Sequence, residues 1–380
     1  MLALSNKIGF FCILYLAFVL IVKFMKKIIT VVGARPQFVK AAVVSRAFQK
    51  SNQVEELIIH TGQHFDQNMS AIFFEEMEIP QPHFNLKING LGHGAMTGQM
   101  LEGIEKIILQ EKPDAVLVYG DTNSTLAGAL AAVKIHVPVA HVEAGLRSFN
   151  MRMPEEVNRI LTDRISNWLF CPTETAIANL KMEGYTDQTA KICNVGDVMY
   201  DAALFYAAHS ENRATVAKQF TGPPFVLCTL HRAENTDDPA NLERIIAALN
   251  EINKHMPIVL PLHPRTKKII EKNNMKAEFT IIEPVGYFDM IELLKNCRLV
   301  MTDSGGLQKE AYFFHKHCIT LREQTEWVEL VQNGYNELTG ANTELILKAF
   351  EGIAKRTTDF SKALYGDGKA GEHIVNALIA

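Results

Sequence analysis

From Lys26 onward, short runs of apolar residues alternate with longer stretches in which apolar positions recur at helical spacing. Residues 28–32, 57–60, 115–119 and 137–142 have the length and continuity of strands buried on both faces, and a helix-like segment follows each. This alternation predicts βαβ units and a parallel sheet. Around residues 207–224 the pattern becomes irregular and polar, ending in Thr221-Gly222-Pro223-Pro224. It then restarts with strands at 225–230, 258–262, 279–282, 299–302 and 318–321. The predicted fold class is α/β, with two Rossmann-like, doubly wound domains (25–206 and 207–366) facing a central cleft and a C-terminal helix in 367–380.

The first residues stand apart. Ile8 to Val22 is an unbroken apolar run with Lys7 before it and Lys23, Lys26 and Lys27 after it. It falls short of the roughly 20 residues of a spanning helix. No small-residue cleavage site follows it, as a signal peptide would require. The first predicted strand begins almost at once, so an upstream translation start with Met25 as the initiator is preferred to a membrane anchor in 1–24. Membrane contact is expected only through those residues, and the rest of the chain is expected to be cytoplasmic.

The chain has 380 residues, 48% of them hydrophobic, enough to fill two cores, which excludes a disordered tail or a small stapled scaffold. Thirty-eight Lys and Arg stand against 42 Asp and Glu without any basic run, so nucleic acid is not an expected partner. Six cysteines (Cys12, Cys171, Cys193, Cys228, Cys297 and Cys318) are scattered without a C-x-x-C pair and predict reduced, mostly buried thiols. H-E-x-x-H and G-x-S-x-G do not occur, and the turn after the first strand is not G-x-G-x-x-G, so no metal, nucleophile elbow or dinucleotide cofactor is indicated.

Ligands of open parallel sheets bind beyond the carboxyl ends of the strands, which makes the segments after each strand the places to look. Gly33-Ala34-Arg35-Pro36-Gln37-Phe38-Val39-Lys40 follows the first strand. It combines a turn glycine, a proline suited to a first helical turn, and Arg35 and Lys40 beside a helix N-terminus, which together favour phosphate. The plain alternative is two surface cations flanking a turn. Asp121, at the end of strand 115–119, is either a reactive carboxylate or the cap of the next helix. Glu143 and Arg147 follow strand 137–142, and Met153-Pro154-Glu155-Glu156-Val157-Asn158-Arg159 opens a helix whose acids would also suit its dipole. Three carboxylates from successive connections at one sheet edge are costly unless their differing proton affinities serve acid and base work.

In the second half, His231-Arg232-Ala233-Glu234-Asn235 follows strand 225–230, with His231 either a donor to a phosphate or leaving-group oxygen or a structural histidine. Thr302-Asp303-Ser304-Gly305-Gly306-Leu307-Gln308-Lys309-Glu310 exposes backbone N–H groups at a helix start, a cradle for a diphosphate. Glu310, further along, is placed to accept from ribose hydroxyls.

These motifs, in this order and over nearly all of residues 25–380, resemble the non-hydrolysing UDP-N-acetylglucosamine 2-epimerase family. The family's Gly-Thr-Arg-Pro-Glu opening is similar to Gly33–Gln37 with Lys40 after it, and its Gly-Asp-Thr turn to Gly120–Thr125. Val142–Arg147, Pro154–Arg159 and Thr302–Glu310 carry its remaining motifs intact. The resemblance implies a GT-B-like fold, a homodimer, a UDP-sugar substrate, and neither cofactor nor metal. It also implies a reaction in which the C2 proton is removed as UDP leaves C1, giving a glycal, and UDP re-adds after protonation from the opposite face. In that scheme Asp121, Glu143, Glu155 and His231 are catalytic, with His231 and Arg35 near the diphosphate. Lys40, Arg147, Arg152, Arg159 and Arg322 belong to the substrate site, and Ser304, Gly305, Gly306 and Glu310 form the nucleotide cradle.

Departures from the family pattern bear on the sugar. Gln37 replaces the usual glutamate, Thr325-Glu326-Trp327 stands where many relatives carry Thr-Glu-Arg, and the loop from Arg147 to Met153 is short and carries Arg152. Together these resemble the branch acting on UDP-2,3-diacetamido-2,3-dideoxyglucuronate, an intermediate for O-antigen sugars of lipopolysaccharide, with Arg152 the expected partner of the uronate. The alternatives are plain UDP-GlcNAc as substrate, a hydrolysing relative, a GT-B glycosyltransferase, and a non-catalytic UDP-sugar sensor.

Overall fold

The computed structural model describes residues 25–63, 78, 80–186, 188–262, 264–354 and 356–380. The extension 1–24, on which the choice between anchor and upstream start turns, lies outside the described residues. Among the described residues no helix is long and apolar enough to cross a membrane.

Two all-parallel sheets carry the fold. The first contains β1 (Lys26–Val32), β2 (Val54–His60), β3 (Phe84–Asn85), β4 (Ala115–Tyr119), β5 (Val139–Val142), β6 (Trp168–Cys171) and β7 (Lys191–Asn194), in the order β3-β2-β1-β4-β5-β6-β7. The second contains β8 (Val226–Thr229), β9 (Ile258–Pro261), β10 (Thr280–Ile282), β11 (Leu299–Thr302), β12 (His317–Thr320) and β13 (Asn336–Leu338), in the order β10-β9-β8-β11-β12-β13. Each predicted strand is present within one to two residues at either end, apart from β2, which begins three residues earlier at Val54. The pattern did not single out β3, β6, β7 and β13, which have two to four residues each.

The strong signal of β1 has a simple cause. Ile28 and Val32 enter one core layer and Ile29 and Val31 the other, so both faces must be apolar. In the second sheet Val226 and Cys228 face one layer while Leu227 faces the other.

The predicted irregular stretch from Ala207 needs correction. Helix Val198–Arg213 runs through that point, with Asp197 as its N-cap. Apolar residues on one face of the helix, Val198, Ala202 and Tyr206, join the core of the first sheet. Its far end reaches the second unit, where Ser210 Oγ donates to Glu292 and Asp289 accepts from the amides of Thr215 and Ala217. A boundary at 206/207 therefore cuts a continuous element. The last helix, Ala370–Ile379, returns to pack on helix Arg35–Ser51, and Asp201 accepts from the amides of Ala370 and Gly371 at its start. Two helices thus tie the two sheets together.

Candidate active site

In each sheet the strand order reverses between two neighbouring strands, and a crevice opens there because the flanking helices lie on opposite faces. The reversal falls between β1 and β4 in the first sheet and between β8 and β11 in the second. The segments after these four strands are Gly33–Lys40, Gly120–Asp121, His231–Asn235 and Asp303–Gly306. They include half of the site residues singled out by the sequence.

The turn after β1 is built by close approach. A Cβ on Gly33 would lie 2.1 Å from both Ser124 Oγ and Thr61 Oγ1. Gln37 is buried; its Oε1 accepts from the amides of Gly33 and Ala34 at 2.8 and 2.9 Å, while its Nε2 donates to Tyr119 O and Thr125 Oγ1. Gln37 is thus a structural clamp, and its departure from the usual glutamate does not reach the ligand. The amide supplies a donor that an ionised glutamate lacks. Helix Arg35–Ser51 begins at Arg35, whose side chain lies outside the description.

Lys40, on that helix, reaches the Oε2 of Glu143. Glu143 has φ of +69°, in the left-handed region that a side chain other than glycine rarely adopts, a mark of a position held for function. Beside it Gly120, with φ of +63°, leaves room that a Cβ would take 3.4 Å from Glu143 Oε2. Burial pushes the Glu143 carboxyl up, but Lys40 and Lys309 outweigh it and hold the group well below the usual carboxylate range.

Asp121 does not cap the next helix; Thr122 does, accepting from Thr125 N. Freed of that task, the Asp121 carboxylate pairs with Arg159, and its carbonyl accepts from Asn158 Nδ2 at 2.9 Å. Arg159 also binds Glu156 at 2.9 Å. The two adjacent acids of helix Pro154–Ile165 have opposite environments. Glu156 is buried and accepts from the amides of Ser148 and Phe149, whereas Glu155 is exposed with no polar partner among the described residues. Asp121 and Glu143 follow the neighbouring strands β4 and β5, and Glu155 opens the next helix in the chain.

Arg147 requires a correction. Its guanidinium is buried, donating to Asp163, Glu183 and the Leu146 carbonyl, so it supports the loop and does not face a ligand. Asp163 also meets His141 Nδ1 at 2.7 Å, and His141 Nε2 faces the Gly120 carbonyl at 2.7 Å. This chain from Arg147 to Gly120 fixes the turn that carries Asp121. Arg152 is exposed on the loop, its side chain without a polar partner among the described residues.

In the second sheet, Asp303 is buried at the end of β11 and accepts from the amides of His231 and Arg232 and from Asn235 Nδ2. His231 Nδ1 lies 3.0 Å from its Oδ1. Burial pushes the Asp303 carboxyl up, and these hydrogen bonds more than reverse it, leaving it below its ordinary value. Ser304 caps helix Gly305–Phe313 through its Oγ. The amides of Gly305 and Gly306 open the helix and so have no acceptor within it. A Cβ on Gly306 would meet nothing within 4 Å, whereas one on Gly305 would strike Glu326 at 2.4 Å. Glu310 is buried, hydrogen-bonded by Tyr287 Oη at 3.1 Å, and pushed up to about 7 chiefly by burial.

Trp327, where relatives carry arginine, donates from Nε1 to the Gly305 carbonyl at 2.9 Å and supports the cradle helix from below. A cation is still present there, because Lys309 Nζ lies 4.1 Å over the Trp327 ring. Sequence reasoning missed Lys309; its only signal was a lysine on an otherwise apolar helix face. Arg322 pairs with Glu326 at 3.1 Å and Glu234 at 3.6 Å, and lines a cavity of about 1110 Å³ between the two units, with Arg232 and Arg244 on one side and Asn150 and Met153 on the other. The site therefore presents carboxylates from the first sheet and amides and cations from the second. Among the described residues no three His, Cys, Asp or Glu side chains are arranged to hold a metal ion.

Comparison with known proteins agrees with this geometry. A UDP-2,3-diacetamido-2,3-dideoxy-D-glucuronate 2-epimerase of Pseudomonas aeruginosa is 58% identical over 353 residues, covering 93% of this chain and 99% of its own. The crystal structure of Methanocaldococcus jannaschii UDP-GlcNAc 2-epimerase in complex with UDP-GlcNAc and UDP superposes with a TM-score of 0.80 at 44% identity, over 93% of this chain and 99% of that one. The Neisseria meningitidis UDP-GlcNAc 2-epimerase bound to UDP-GlcNAc gives a TM-score of 0.81 at 31% identity, again over 93% and 99%. The two facing parallel sheets are the GT-B-like architecture of these structures. With the sequence profile for UDP-N-acetylglucosamine 2-epimerase matching residues 46–379, this chain belongs to the UDP-N-acetylglucosamine 2-epimerase family.

Proposed function

We propose that this protein is a non-hydrolysing UDP-sugar 2-epimerase that inverts C2 of UDP-2,3-diacetamido-2,3-dideoxyglucuronate, with UDP-GlcNAc as the second candidate substrate. The reading is supported by Asp121 and Glu143, which follow the adjacent strands β4 and β5 and are each paired with a cation, and by the amide cradle that Ser304 opens after β11. A base removes the proton from C2 as the C1–O bond breaks, and UDP leaves with the bonding electrons to give a glycal. An acid on the other face then delivers a proton to C2, and the oxygen of UDP re-adds at the C1 so activated. Carboxylates on both sides of C2 suit both half-reactions. The cradle amides, Arg35 and His231 would stabilise the departing diphosphate, with Glu310 accepting from the ribose. Lys40 is paired with Glu143, and an arriving diphosphate would compete for its ammonium.

The preference for the uronate rests on the 58% identical relative and on Arg152, the exposed cation of the loop beside the cavity. On this reading the enzyme acts as a homodimer in the cytoplasm and supplies a precursor of lipopolysaccharide O-antigen. It would comprise an N-terminal domain on the first sheet, a UDP-binding domain on the second, and a last helix that returns to the first.

Incubation with either UDP-sugar in deuterated water, following C2 by NMR, tests the reading. Deuterium at C2, the manno epimer and UDP still attached are expected, with turnover faster on the uronate. Exchange with neither sugar would rule out epimerisation. Arg152→Ala is expected to narrow the preference between uronate and neutral sugar, and an unchanged preference would remove Arg152 from the site.

A further inference from the structure

Lys309 is a cation of the site that neither the motif reading nor the mechanism above uses. It lies one turn into helix Gly305–Phe313, and its side chain is only 4% exposed. Its ammonium crosses from the second unit to the first, 2.5 Å from Asp197 Oδ2 and 3.6 Å from Glu143 Oε1. Trp327 lies against its other side. Asp197 is fully buried and anchored, its Oδ1 accepting from Met199 N at 2.8 Å and its own amide donating to Tyr365 O. The lysine is thus gripped from several directions, and its position does not depend on a ligand.

We propose that Lys309 is a positioning residue for Glu143: reaching from the nucleotide-cradle helix into the first sheet, it holds the carboxylate ionised and in place when the diphosphate draws Lys40 away. The two lysines divide the carboxylate between them, Lys40 on Oε2 and Lys309 on Oε1. Lys40 is the more exposed of the pair and sits beside the Gly120 turn, where an anion would compete for it. Lys309 has buried partners only. Because it shares a rigid helix with Ser304, Gly305 and Gly306, the cradle and the carboxylate form one mechanical unit across the cleft. The charged and titratable groups around the pair are Lys40, His141, Asp197, Glu310 and Glu329. Among these, Lys40 and Lys309 act most strongly on Glu143. The catalytic meaning of this assignment rests on the epimerase reading; the geometry does not.

The test is an infrared titration of the Glu143 carboxylate in the full chain without substrate, identified by subtracting the spectrum of Glu143→Gln. Lys309→Met should raise its proton affinity at least roughly tenfold, the usual effect of losing an opposite charge at this range. Lys309→Arg should restore the original midpoint. Should Lys309→Met fail to fold because Asp197 is left unpaired, the double variant Lys309→Met with Asp197→Asn removes both buried charges and must show the same rise. A midpoint within about twofold of the wild type in the folded variants would overturn the proposal. In C2 exchange, the acidic limb of the pH–rate profile should move with the titration, whereas a merely structural lysine would lower the rate equally at all pH. Absence of exchange in the wild type would sink the epimerase reading alone, since the titration needs no turnover.

Discussion

His231 Nδ1 sits 3.0 Å from Asp303 Oδ1, joining the segment after β8 to the end of β11 across the reversal point of the second sheet. Asp303 also accepts from two amides of the same segment, so it sets both the position of the loop and the tautomer of the ring. With Nδ1 donating to the carboxylate, Nε2 is the nitrogen that the proposed mechanism would use toward the leaving oxygen. Asp303→Asn offers the ring and the amides a poorer acceptor. C2 exchange at saturating substrate should fall by about 100-fold or more, in keeping with loss of a positioned acid or base. The melting temperature should fall as well.

The paired acids Glu155 and Glu156 should separate chemistry from stability. Glu155→Gln removes an exposed carboxylate without a protein partner, so stability should change by no more than about 0.5 kcal/mol while exchange falls roughly 100-fold or more. Glu156→Gln leaves Arg159 short of a buried counter-charge and weakens acceptance from the Ser148 and Phe149 amides. It should cost about 3 kcal/mol in chemical denaturation. Swapped outcomes would reverse the two roles.

Gln37→Glu restores the residue common in the family, yet in this chain it should destabilise. An ionised carboxylate would set an oxygen against the Tyr119 carbonyl, where Nε2 now donates at 2.7 Å. A loss of about 1–3 kcal/mol is expected from the unmet buried acceptor. The penalty should be smaller at acid pH, where the glutamate can carry a proton, and denaturant midpoints measured across pH would show it.

A second carboxyl, remote from the site, should shape stability between acid and neutral pH. Burial pushes Glu56 up to about 7, offset in part by hydrogen bonds that include Thr30 Oγ1 at 2.5 Å. The folded state therefore binds the proton more tightly than the unfolded chain. Its stabilising effect is complete below the ordinary glutamate value of 4.5 and is lost as pH rises through 7. Urea midpoints should decline between about pH 4.5 and 7 and level off above it. Glu56→Gln, which mimics the protonated form, should flatten that slope; an undiminished slope would place its origin elsewhere.

The local pattern alone established the α/β class, most of the strands, the helix after Ser304 and the polar segments at the strand ends. Strands buried on both faces must be continuously apolar, and glycines and capping residues act within a few positions of themselves, so these features are written in short stretches of chain. The roles of individual side chains were decided by the tertiary structure. Arg147 and Arg159 belong to the same motif region, yet one is spent inside the first unit and the other holds Asp121. Adjacent Glu155 and Glu156 differ because one points to solvent and the other under a loop. Lys40 meets Glu143 across 103 residues and Lys309 meets Asp197 across 112. Charges so far apart in the chain carry no periodic signal; only tertiary packing, and the low dielectric it creates, gives each its partner and its proton affinity.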